Sequence, residues 1–259
     1  MNQPHLVVDT PQVSCVNEPE QLVTQVVVRG PWDGRLRHQV AQVLRAAVAE
    51  TPELLLIDLA ALDDPYAESA STWRITSRFA EQNDPPVSMV LCAAAPALRH
   101  QLAAEVLGEP TLTQAGTVGA AVAETPRRDA TAPRRHLRLP PWPSACVRAR
   151  TLAGDTCLAF GLAHLVHPVR LTASELVANA VEHAGTDMDL WISVRDTMLH
   201  VAVHDGSPRL PRLIDAAHPW EPGAGLRIVA AAATAWGALP TQTGKIVWAT
   251  FATQHRPVS

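Results

Sequence analysis

The chain has 259 residues, 47% of them apolar and 18% charged, and its 21 basic and 25 acidic side chains give a net charge of −4. At about 150 residues per domain, this length suits two compact units. The apolar share excludes wholesale disorder, the acidic balance excludes a strongly basic nucleic-acid footprint, and no apolar run reaches the roughly 18 residues of a membrane-spanning helix. The opening residues, MNQPHLVVDTPQ, lack the charged start and apolar block of a secretion signal. The four cysteines, Cys15, Cys92, Cys146 and Cys157, form no CxxC pair, so neither a disulfide framework nor a zinc site is expected. A reduced, cytoplasmic protein is the simplest reading.

The first half alternates strand and helix patterns. Leu22–Arg29 is β-branched and ends at a Gly-Pro turn, which predicts a strand. Arg35–Ala49 has helical apolar spacing through Val40, Val43, Leu44 and Val48. Leu54–Leu59 and Val87–Cys92 are apolar runs suited to strands covered on both faces. Ala67–Ala80, Ala95–Leu107 and Val118–Glu124 read as helices. The alternation predicts an α/β layer.

Residues 125–135, TPRRDATAPRR, hold two prolines and four arginines but no large apolar side chain. This composition predicts a solvated linker. Without interleaved aromatics it does not suit base stacking. The expected organisation is therefore a unit over 1–125, a linker over 126–135 and a unit over 136–259.

The second half has another order. A short strand is expected at Leu137–Leu139, then helices at Ser144–Leu162 and Leu171–His183. Leu190–Val194 and Met198–His204 alternate apolar and polar residues as a hairpin does. Pro208–Pro222 holds four prolines and reads as a long loop. A helix over Leu226–Trp236 and a strand over Ile246–Phe251 follow. Helices first and strands later predict an α+β sandwich. Trp142 and Trp220 are expected to pack internally.

Three features of this half carry chemistry. On Leu171–His183, Glu175 and Asn179 are four apart and share a stripe with Glu182 and His183, away from Val177, Ala180 and Val181. A carboxylate beside a carboxamide suits Mg²⁺, which takes oxygen ligands and draws only one or two from protein. Asp205 and Gly206 end a strand, where a carboxylate can accept from an exocyclic amine. Gly223-Ala224-Gly225-Leu226 opens a helix, where close backbone approach and free N–H groups favour phosphate. His164 and His167, near Cys157, lack the further ligands of a metal site, and His200 and His204 read as a surface pair.

Taken in order, ELVANAVEHA, HDGSP, GAGL and GKIVWATF resemble the nucleotide-binding half of bacterial anti-sigma-factor serine kinases, members of the GHKL ATPase superfamily. The resemblance covers about residues 135–252. It implies a Bergerat-type α/β sandwich with ATP and Mg²⁺ as cofactors. Asn179 would coordinate the Mg²⁺, and Glu175 would be the general base toward a substrate hydroxyl. Asp205 would bind the adenine amino group, with Gly206 leaving room for the ring. Gly223, Ala224, Gly225 and Leu226 would wrap the phosphates beneath a lid at Pro208–Pro222. The lid offers Arg209 and Arg212 as γ-phosphate contacts, between which the spacing does not choose, and Lys245 receives no role.

VVVRGPWDGRL, LLLIDLAALDDPYAESAS and VSMVLCAAAPALRHQL resemble the STAS domain of anti-sigma-factor antagonists over about residues 8–125. Together the two resemblances imply a partner-switching regulator. Its partners would be a sigma factor and a separate STAS antagonist, and it would pair through its ATPase halves. In the antagonists, the phosphorylated serine follows the DL strand in a turn. Counting from Asp58-Leu59, that position holds Ala67 or Glu68, and using Ser69 or Ser71 requires a shifted alignment. A second reading is thus an adaptor that binds nucleotide, or nothing, and sequesters a sigma factor or STAS partner without phosphotransfer.

Overall fold

A computed structural model of the chain describes residues 4–7, 9–18, 21–83, 86–103, 112–126, 133–195, 197–211 and 225–254. Contacts divide the chain into two units, Val7–Ala130 and Met1–Leu6 with Thr131–Ser259. The expected division at 125/136 differs at the start of the chain, because β1 (His5–Leu6) pairs with a strand near the far end of the sequence, in the second unit.

The first unit is built on β2 (Val13–Glu18), β3 (Val23–Pro31), α1 (Gly34–Ala49), β4 (Leu54–Asp63), α2 (Ala70–Gln82), β5 (Ser88–Cys92), α3 (Pro96–Ala103), β6 (Thr113–Ala115) and α4 (Val118–Glu124). Its sheet runs β2-β3-β4-β5-β6, antiparallel between β2 and β3 and parallel thereafter. The parallel centre explains the unbroken apolar run of β4, whose residues Leu54–Ile57 are all buried. Leu54, Leu56, Val90 and Cys92 cluster with Ala121 of α4. α1 starts where Asp33 accepts a hydrogen bond from Leu36 N at 2.7 Å, a capping carboxylate on an orphan donor. α2 begins at Ala70, three residues later than expected. Ala67 adopts φ 57°, a left-handed conformation no helix interior accepts. Strand β2 lies outside the expected elements, and residues 104–107 of the expected third helix lie outside the described residues.

The second unit adds β7 (Arg134–Leu139), α5 (Ser144–Ala159), a 3-10 turn (Ala163–Leu165), α6 (Val166–His183), β8 (Met188–Arg195), β9 (Met198–Asp205), α7 (Gly225–Ala232), β10 (Ala235–Thr241) and β11 (Gly244–Ala252). β7 starts inside the stretch expected as linker, of which residues 127–132 lie outside the described residues. The sheet order is β1-β10-β11-β9-β8-β7, antiparallel except for β1 on β10. Three helices bury against it. Ala145, Ala149, Ala153 and Cys157 form a small-residue stripe on α5, four apart, which lets α6 approach closely. α6 contributes Val169, Ala173, Leu176, Val177 and Ala180, and α7 contributes Leu226, Val229 and Ala230. Pro168 is tolerated in α6 because first-turn N–H groups have no helical acceptor.

One expectation is corrected here. The helix expected over Leu226–Trp236 stops at Ala232, and Ala235–Thr241 is a strand. Its apolar run is short enough to suit either state. Pairing on both sides, with β11 and β1, decides it. Gly237 admits β1: a Cβ there would collide with the His5 backbone, and the His5 ring stacks 6.1 Å from the Trp248 ring across it.

Candidate functional site

The C-terminal half of α6 carries the first two site residues. Its buried side faces the sheet core, and Glu175 and Asn179 lie half-buried at the border of that side. Glu182 and His183 are instead 69% and 66% exposed, so the expected stripe splits into a half-buried pair and a solvated pair. Glu175 meets the first residue of α7: a Cβ at Gly225 would collide with its Oε2. Gly225 is thus held bare by a carboxylate. Burial pushes the Glu175 carboxyl above the ordinary glutamate range, and the Arg150 guanidinium on α5 partly offsets this. Arg150 is itself held by a 3.0 Å hydrogen bond to Ser174 Oγ. The Asn179 amide nitrogen is buried and has no hydrogen-bond partner among the described residues. Such an orphan is costly unless a ligand meets it.

Asp205 ends β9 and is 1% exposed. Its Oδ1 accepts from Lys245 Nζ at 2.8 Å and from the Ser207 backbone N at 2.9 Å. Lys245 Nζ also donates to the Ser207 carbonyl at 3.2 Å. The cross-strand register sets Lys245 directly opposite Asp205. Gly244 permits this, since a Cβ there would collide with the Asp205 carbonyl and crowd Gly206. The Gly206 N donates to Thr186 Oγ1 at 2.9 Å, and a Cβ at Gly206 would come within 3.2 Å of Thr186.

Of the expected phosphate loop, Gly223 and Ala224 lie outside the described residues, as do Arg212 and Trp220. Leu226 is 4% exposed and packs in the core, so its side chain anchors α7. Arg209 is exposed. Trp142, expected to pack internally, is 62% exposed. His200 is not part of a surface pair: it is 3% exposed, and burial with the nearby Arg195 charge drives its pKa well below the ordinary histidine value. His204 bonds Thr241 Oγ1 at 2.9 Å. Arg150 and Thr186 escape sequence reasoning, since no local spacing ties them to Glu175 or Asp205.

No group of three His, Cys, Asp or Glu side chains able to hold a metal occurs among the described residues. A Mg²⁺ carried on phosphates does not need one, because a single amide oxygen can be its protein ligand. The Asn179 side-chain oxygen would be that ligand, while the orphaned nitrogen is a donor and suits a phosphate oxygen, which bare Gly225 leaves room to approach.

The first unit holds the turn where the resemblance to the antagonists would place an acceptor serine. Ser69 is fully buried. Its hydroxyl donates to Asp64 Oδ2 at 2.5 Å and accepts from Trp73 Nε1 at 2.8 Å. Asp64 also accepts from the backbone N of Glu68 and Ser69, at 2.9 and 3.0 Å. The network locks the turn and withdraws Ser69 from solvent, whereas Glu68 and Ser71 are exposed. Ser69→Ala is expected to cost about 1–3 kcal/mol, because it strips Trp73 Nε1 of its acceptor in a buried site. Urea denaturation checks this, and a loss under about 0.5 kcal/mol contradicts it.

No family model matches the sequence, and no curated protein matches it. Among solved structures, the chain is similar to an anti-sigma factor antagonist from Mycobacterium paratuberculosis, with 23% identity and a TM-score of 0.34. The match covers 45% of this chain and 97% of that one. No helix among the described residues is long and apolar enough to cross a membrane.

Proposed function

We propose that the second unit is a GHKL-type ATP site that phosphorylates a hydroxyl on a separate STAS antagonist, and that the first unit is a STAS-like module lacking its own acceptor serine. The carrying observation is the contact of the Glu175 carboxylate with bare Gly225, one turn of α6 from the half-buried Asn179. Asn179 would hold a Mg²⁺, which when bound neutralises phosphate charge. Asp205 would take the adenine amine, and the start of α7 would face the phosphates. Glu175 would accept the proton of the attacking serine or threonine hydroxyl as its oxygen bonds to the γ-phosphorus. The bond from that phosphorus to the bridging oxygen breaks, and ADP leaves.

The reading explains why a carboxylate is kept half-buried against a helix start, where an ordinary surface glutamate would be solvated. A sigma factor is the second partner it implies. The adaptor reading draws support from the first unit, where Ser69 is buried and Ala67 or Glu68 stands at the acceptor count.

Calorimetric titration of the full chain with ATP and Mg²⁺ tests the site. Binding is expected, weakened about tenfold or more in Asn179→Ala through the lost metal ligand. Binding that Asn179→Ala leaves unchanged would remove Asn179 from its role, and no binding by the parent chain would remove the ATP site.

A further inference from the structure

Lys245 has no role in the scheme above, yet it stands out. It is the chain's one lysine, beside twenty arginines. Its side chain is 7% exposed, and its paired Asp205 side chain 1%. Both residues point to the side of the sheet that carries Val203 and Val247 into the core, because each lies two positions along its strand from one of them. An ammonium has three N–H donors. Two go to Asp205 Oδ1 and the Ser207 carbonyl, and the third has no partner among the described residues. Both side-chain bonds of Asp205 fall on Oδ1, and none among the described residues engages Oδ2. The pair thus presents an acceptor beside a donor on a buried wall. A ligand edge with an amino group next to an unprotonated ring nitrogen satisfies both.

We infer that Lys245 is a specificity-determining residue: its third N–H donates to ring nitrogen N1 of adenine while Asp205 Oδ2 accepts from the 6-amino group. The inference rests on the ATP reading above and extends it to the base edge. An arginine would not serve, since its planar fork is wider than the compact ammonium that fits between Asp205 and the Ser207 carbonyl.

The test compares ATP with 1-deaza-ATP, in which a C–H replaces N1, by calorimetry on the full chain and on Lys245→Met. The parent should bind ATP about tenfold or more tighter, the factor one charge-assisted hydrogen bond supplies. Lys245→Met should bind both alike. A folded Lys245→Met that keeps the parent's preference overturns the inference. That variant leaves a buried carboxylate without its counter-charge and can fail to fold, so the unmutated chain provides a second readout. With ¹⁵N-labelled lysine, the single side-chain ammonium signal belongs to Lys245. ATP should shift it clearly more than 1-deaza-ATP does, and equal shifts overturn the inference. If neither nucleotide binds the unmutated chain, the ATP site itself fails and the inference with it, a result distinct from equal binding of the two.

Discussion

Glu175→Gln should lower phosphate transfer to a STAS antagonist by about 10²–10⁴-fold, the usual contribution of a positioned general base. Nucleotide binding should survive, because the amide keeps the shape of the carboxyl. The pH profile of the parent distinguishes this role from a structural one. The base works only when ionised, and burial holds its carboxyl above the ordinary range. Activity should therefore fail on acidification at a higher pH than an ordinary glutamate would give. Removing the Arg150 charge should move that limb further upward. Stability runs the other way. The folded state holds the Glu175 proton more tightly than the unfolded chain does, so the carboxyl's contribution falls as pH rises through its raised value. Glu175→Gln escapes this loss and should be no less stable than the parent at neutral pH. Gly225→Ala displaces the same carboxylate by a Cβ, moving the far end of a side chain, and should lose transfer while the fold persists. Transfer that persists in Glu175→Gln would end the assignment of Glu175 as base.

Asp205→Ala should destabilise the second unit by roughly 3–5 kcal/mol, the cost of stranding one member of a buried ion pair. The pair is dry enough for that figure, with side chains 7% and 1% exposed and a 2.8 Å contact. The loss is expected in urea denaturation and in faster hydrogen exchange through β9 and β11, whose register the pair closes. The same variant removes the proposed amine acceptor, so ATP binding should disappear with it. Asp205→Leu combined with Lys245→Met separates the two effects. It removes both charges, and stability should return to within about 1 kcal/mol of the parent, since apolar replacement of a buried pair is often neutral or better. ATP binding should stay absent. A double variant as unstable as Asp205→Ala would show that packing, not the stranded charge, sets the cost.

Elements with their own periodicity are legible in the chain itself. The spacing of Val40, Val43, Leu44 and Val48 marks α1 to within one residue of Gly34–Ala49. The run at Leu54 marks a central strand, and the alternation over β8 and β9 marks their hairpin. The Glu175–Asn179 spacing is readable because two residues four apart share a helix face wherever the helix lies. The local signal fails at β10, where Ala235–Thr241 has no β-branched residue except its last and takes its state from the strands beside it.

What the sequence alone determined, then, was the helix faces, the apolar strands and the set of chemically able residues, because each depends on neighbours a few positions away. The tertiary structure decided which of those residues meet. Lys245 reaches Asp205 across 40 positions only through the β11–β9 register, Glu175 reaches Gly225 only by the packing of α7 on α6, and β1 joins the second unit only because Gly237 leaves its edge open. Pairing across strands and packing between helices bring together residues of any separation, and periodicity along the chain carries no record of that choice.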